Sequence, residues 1–73
     1  MTLFANQPGV QFYNGIYLDC AGKGGVTYAR YGALCLETQA FPNAINVPSW
    51  APSVVLRPGQ RYHHVMKHVF TTT

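Results

Sequence analysis

Turn-forming residues recur along this chain, and no stretch between them is long enough, with apolar residues at helical spacing, to read as an amphipathic helix. They stand at Pro8-Gly9, Asn14-Gly15, the cluster Gly22-Lys23-Gly24-Gly25, the prolines between Pro42 and Pro52, and Pro58-Gly59. Glycine supplies positive φ, and proline fixes φ while removing an amide donor, so each of these places interrupts a regular hydrogen-bond ladder. The runs left between them are short and rich in Val, Tyr, Phe and Thr, which suits strands. The predicted class is therefore all-β and antiparallel. Strands are expected from Val10 to Tyr13, running on through Ile16 to Leu18, then from Thr27 to Thr38, Val54 to Leu56, and Arg61 to Phe70. In the last of these Tyr62, His64, Met66, His68 and Phe70 would share one face. Leu56-Arg57-Pro58-Gly59 reads as a tight connection, so a hairpin from Val54 to Phe70 is predicted. The segment from Ala40 to Pro52 reads as an ordered surface loop, and Thr71-Thr72-Thr73 as a frayed end.

Length and charge bear on whether such strands can close a core alone. Seventy-three residues suffice for one small domain, near the lower limit at which burial outweighs chain entropy. Only 10% of the residues are charged, against roughly a quarter in ordinary globular domains, while 48% are hydrophobic. That is too little charge for a small free-standing surface, and the expectation is a folded piece of something larger, incomplete as a domain. Lys23, Arg30, Arg57, Arg61 and Lys67 are scattered singly, with Asp19 and Glu37 as the only acids. No basic patch is readable, so a nucleic-acid partner is not expected. Cys20 and Cys35 are too far apart for a Cys-x-x-Cys pair and read as free buried thiols. The start, Met1-Thr2-Leu3-Phe4-Ala5-Asn6, carries neither a basic region nor a sustained apolar one, and Val54-Val55-Leu56 is far too short to cross a bilayer. A cytoplasmic setting without membrane contact is the expectation.

Two groups of residues invite a chemical reading. His64 and His68 would share a face of a helix, as in a zinc pair, but on a strand they stand about 13 Å apart at roughly 3.3 Å per residue. They cannot share a metal there, and they read as partly exposed strand histidines. Glu37 differs. It is the only glutamate, set in Ala33-Leu34-Cys35-Leu36-Glu37-Thr38-Gln39, where alternation places it with Ala33 and Cys35 on a face of small residues. A carboxylate on such a face must be paired, hydrogen-bonded or useful, because burying an unpaired charge is costly. A structural ion pair and a catalytic base both satisfy that requirement.

The string Leu34-Cys35-Leu36-Glu37-Thr38-Gln39, followed by Phe41-Pro42-Asn43-Ala44 and Asn46, resembles the C-terminal signature of the aldose 1-epimerase (galactose mutarotase) family. So do Asn6-Gln7-Pro8-Gly9-Val10-Gln11-Phe12-Tyr13 upstream and Leu56-Arg57-Pro58-Gly59 with Tyr62 and His64 downstream. The three motifs keep the family's order and spacing over nearly the whole chain. The resemblance implies the final segment, residues 1–73, of a large antiparallel β-sandwich domain. It also implies an isomerase interconverting the α and β anomers of free hexoses such as galactose and glucose, without cofactor or metal.

By the same resemblance Glu37 matches the family's general base, Gln11 a sugar contact, and Phe12 an apolar sugar contact present in some members. The general-acid histidine, a second sugar-binding histidine, an Arg and an Asp belong to regions this chain does not contain, and His63, His64 and His68 match none of them. Asn43 stands where the family commonly has Asp. The expectation is thus a segment inactive alone, whose partner is the N-terminal part of the domain. A non-catalytic carbohydrate-binding or interaction β module is the alternative; relatives acting on hexose 6-phosphates are a third class, against which the shortage of clustered Arg and Lys speaks only weakly.

Overall fold

A computed structural model describes residues 1–73, and it contains strands, one-turn helices and coil, with no α-helix. Six strands form: β1 Thr2–Ala5, β2 Gly9–Tyr13, β3 Cys20–Ala21, β4 Thr27–Tyr28, β5 Cys35–Gln39 and β6 Met66–Val69. They associate as three separate antiparallel pairs, β1 with β6, β2 with β5 and β3 with β4. The all-β, antiparallel expectation holds at this level. Two layers of sheet facing each other do not form within the chain.

The turn chemistry decides where each strand stops. After β2 the chain turns, because Asn14 Oδ1 accepts from the Ile16 amide at 3.1 Å, Gly15 takes φ +75°, and the Leu18 amide donates to the Gly15 carbonyl at 3.1 Å. The predicted continuation of that strand through Ile16 to Leu18 is corrected accordingly. A single strand from Thr27 to Thr38 is corrected as well. Tyr31 adopts φ +62°, and the Gly32 amide closes a turn on the Ala29 carbonyl at 2.9 Å, so residues 27–28 and 35–39 belong to different pairs. The glycine cluster makes a one-turn helix, Lys23–Gly25, that joins β3 to β4 as a short hairpin.

The expected hairpin from Val54 to Phe70 does not form. Pro52 helps set a one-turn helix, Ala51–Val54, which consumes the start of the predicted strand. The tight connection itself is present, with Gly59 at φ +85° and the Gln60 amide on the Arg57 carbonyl at 3.0 Å. Beyond it β6 pairs with β1, a strand that the sequence reading did not anticipate, in the register Thr2↔Val69, Leu3↔His68, Phe4↔Lys67 and Ala5↔Met66. Asn6 fixes this choice. Its side-chain amide donates to the His63 carbonyl at 2.8 Å, its Oδ1 accepts from the Val65 amide at 3.0 Å, and its own amide donates to the Val65 carbonyl at 3.3 Å.

The loop between β5 and the Arg57 turn is ordered, as expected. One-turn helices at Ala44–Asn46 and Ala51–Val54 follow each other, and Phe41 lies against Trp50 with ring centroids 4.6 Å apart. Ala44 in this loop is the sole buried hydrophobic residue of the chain, and Gly15 is the only other buried residue. The accessible surface is 6304 Å², where a compact monomer of 8.1 kDa exposes about 4,500 Å². The radius of gyration is 16.7 Å, against about 11 Å for a compact domain of this length. The strand pairs are thus held by ladders and local turns, with their apolar faces uncovered. For the same reason Cys20 and Cys35 are free but exposed, correcting the expectation of buried thiols.

Candidate active site

The β2–β5 pair carries all three residues singled out from the sequence. Its register is Gly9↔Gln39, Val10↔Thr38, Gln11↔Glu37, Phe12↔Leu36 and Tyr13↔Cys35. Because side chains alternate along a strand, Gln11 and Glu37 lie directly opposite each other on one face, with Tyr13 and Cys35 on one side of them and Gly9 and Gln39 on the other. Directly opposed residues hold their Cβ atoms about 5 Å apart. Phe12 and Leu36 project from the other face, together with Val10 and Thr38. The pairing therefore brings Gln11 and Glu37 together and sets Phe12 on the reverse side of the same ribbon. Ala33, expected beside Glu37, precedes the strand, which begins at Cys35.

Glu37 is exposed and makes none of the side-chain hydrogen bonds of the chain. Its cross-strand neighbour is an amide, so the register supplies no cation for a structural ion pair. The Gln11 side-chain nitrogen donates to the Phe12 carbonyl at 3.0 Å, which steadies the amide along the strand and leaves its oxygen free to accept. At the end of this face Gly9 is closely packed, since a Cβ there would stand 3.3 Å from the Gln39 carbonyl oxygen and 3.6 Å from the Phe41 ring. A free carboxylate beside an amide whose oxygen is free suits a ligand rich in hydroxyls. The carboxylate accepts a proton or a hydrogen bond, and the amide offers both a donor and an acceptor.

None of the three histidines belongs to this face. His64 Nε2 lies 2.7 Å from Thr38 Oγ1, on the reverse side of β5, and its Nδ1 lies 3.3 Å from the Tyr62 hydroxyl. His63 lines the same reverse-side cleft, which has a volume of about 460 Å³. His68 sits in β6 opposite Leu3 and stacks on Phe70, centroids 6.0 Å apart. No three His, Cys, Asp or Glu side chains come together as metal ligands would. No helix is long and apolar enough to cross a membrane.

The Thr38, His64 and Tyr62 network escaped the sequence reading. Its signal was the alternation that places Tyr62 and His64 two residues apart, together with Thr38 next to Glu37. The sequence reading takes His64 for a partly exposed strand histidine; it lies in coil before β6, and its partner Thr38 is 26 positions away in sequence.

A family model described as aldose 1-epimerase matches residues 1–68. The galactose mutarotase of Sus scrofa is 44% identical over 73 residues, spanning 97% of this chain and 21% of that protein. The galactose mutarotase of Homo sapiens is 47% identical over 66 residues, 88% of this chain and 19% of its own length. The aldose 1-epimerase of Escherichia coli is 32% identical over 72 residues, 96% of this chain and 21% of its length. The chain thus spans about a fifth of the length of the curated relatives it matches. No solved structure matches it.

Proposed function

The chain belongs to the aldose 1-epimerase family, and from that premise we propose that it is the C-terminal part of an enzyme interconverting the α and β anomers of free hexoses such as galactose and glucose. In this reading Glu37 is the general base and Gln11 binds a sugar hydroxyl. The observation that carries the proposal is the register Gln11↔Glu37, which sets an unpaired carboxylate beside an amide with a free oxygen on one exposed face.

Mutarotation moves protons and breaks only the ring C1–O bond. The Glu37 carboxylate accepts the proton of the anomeric hydroxyl as the C1–O5 bond opens, the C1–O1 bond becomes a carbonyl, and an acid on the far side protonates O5. Rotation about C1–C2 and the reverse transfers close the ring on the other carbonyl face. Glu37 returns the proton, so the enzyme is unchanged at the end. We assign the acid to a histidine in another part of the domain, consistent with the placement of His63, His64 and His68 away from the Glu37 face.

Gln11 keeps the sugar oriented through a hydroxyl present in both ground and transition states. Phe12 enters by a different route, since it lies across the ribbon from Gln11. An apolar contact from its ring would reach the sugar around the strand edge. The same proposal places the three strand pairs in one β-sandwich completed by the rest of the domain, in the cytoplasm. The test uses a full-length chimera in which these residues replace the matching stretch of a whole-length relative. It should accelerate the change in optical rotation of pure α-galactose; binding of galactose without acceleration would instead support a non-catalytic module.

A further inference from the structure

We propose that His64 is a positioning residue for Glu37, an inference that rests on the reading of Glu37 as base. Thr38 follows Glu37 on β5 and projects from the reverse face, where its hydroxyl meets His64 Nε2 at 2.7 Å. The other ring nitrogen is engaged by the Tyr62 hydroxyl at 3.3 Å, with the two rings perpendicular. Both ring nitrogens are therefore occupied, and either neutral tautomer satisfies both contacts because each hydroxyl can donate or accept. Rotation of the imidazole breaks at least one of them.

The segment carrying this ring is itself anchored. Asn6 grips it on both sides of His64 through the His63 carbonyl and the Val65 amide, and Asn6 lies three residues before the start of β2. One short stretch, residues 62–65, thus ties down both strands of the Gln11 and Glu37 ribbon, β2 through Asn6 and β5 through Thr38. Within this chain the ribbon consists of two hydrogen-bonded strands, and the contacts of residues 62–65 hold both from the reverse face. Thr38, Tyr62, His63 and His64 line the cleft between the segment and the reverse face. Proton transfer depends on hydrogen-bond reach, and a shift of about 1 Å can cost on the order of a hundredfold in rate.

The test uses the full-length chimera, with kcat and KM measured for galactose mutarotation. Thr38→Val, which is isosteric, and His64→Ala should each lower kcat about tenfold with KM within about twofold, since the sugar contact of Gln11 is untouched. The double variant should be no slower than either single variant, because both remove one link. Thr38→Ser, which keeps the hydroxyl, should recover most of the rate. Thr38→Val carries the test if His64→Ala fails to fold. The proposal is overturned if kcat stays within about twofold of the parent in the single variants, if the two losses multiply, or if Thr38→Ser is as slow as Thr38→Val. Glu37→Gln, measured alongside, separates the two readings: an active Glu37→Gln overturns the base assignment, and an inactive one with multiplying Thr38 and His64 losses overturns positioning alone. A folded chimera without activity before any substitution overturns both.

Discussion

Gln11 and Glu37 face each other across one ladder, and the proposed function gives them separate tasks, so their substitutions should separate accordingly. Glu37→Gln keeps shape and hydrogen bonding while removing the proton acceptor, so in the chimera kcat should fall by about a hundredfold or more with little change in sugar affinity. On the same proposal Gln11→Ala removes a contact made equally in ground and transition states. It should raise KM by roughly tenfold, the worth of one neutral hydrogen bond, and leave kcat near the parent value. Anomerisation rates at several galactose concentrations distinguish the two patterns. The identity of Glu37 was legible in the sequence, as the single glutamate inside an alternating run. Its partner was legible only through family resemblance, because strand pairing between residues 11 and 37 leaves no local signal. The face occupied by Phe12 follows from alternation once Gln11 is placed, yet the resemblance alone put both on the sugar.

At the level of elements, the strands that could be read were those bounded by recognisable turn chemistry. Pro8-Gly9 opens β2 where the sequence signals it, whereas Asn14-Gly15 ends it although the reading carried the strand on to Leu18. The reading failed where a break came from a residue of ordinary composition. Tyr31 at positive φ splits the expected long strand, although Gly32 beside it was a usable warning. It failed again where the partner was remote, since Val54-Val55-Leu56 was the nearest apolar run to β6 but not its partner. The Asn6 grip offers a direct check. Asn6→Ala loses three side-chain hydrogen bonds, two to the 63–65 segment and a long, exposed one from Gln7, and the two that bridge the segments contribute about 1 kcal/mol net each, so the chimera should unfold about 1–2 kcal/mol more easily, as read from urea midpoints at unchanged slope. A variant as stable as the parent would remove Asn6 as the reason β6 pairs with β1.

For the whole molecule, the surplus of about 1,800 Å² of exposed surface over a compact monomer governs behaviour in solution. Phe4, Val10, Phe12, Leu34 and Leu56 are all more than half exposed, and every strand pair has two open edges. The 73-residue chain expressed alone should therefore aggregate or melt without a sharp transition, which sedimentation and thermal circular dichroism would reveal. It should also leave galactose mutarotation at the rate of buffer, since a base without an opposed acid forfeits about a hundredfold or more. Turnover comparable to intact relatives would contradict that expectation. The shortage of charge in the composition accords with these uncovered apolar faces; the division into three pairs did not show there.

The β1–β6 ladder has a mechanical consequence. Thr2 faces Val69 and Ala5 faces Met66, so both outer ends of the ladder lie on the same side, and tension applied at residues 1 and 73 peels the pairs apart one at a time from that side. The Asn6 grip, at the inner end, is the last to be loaded. Pulled from its two ends this segment should yield at low force in small steps, whereas tension between residue 1 and the 57–60 turn would load the ladder along its length and meet all of its bonds together.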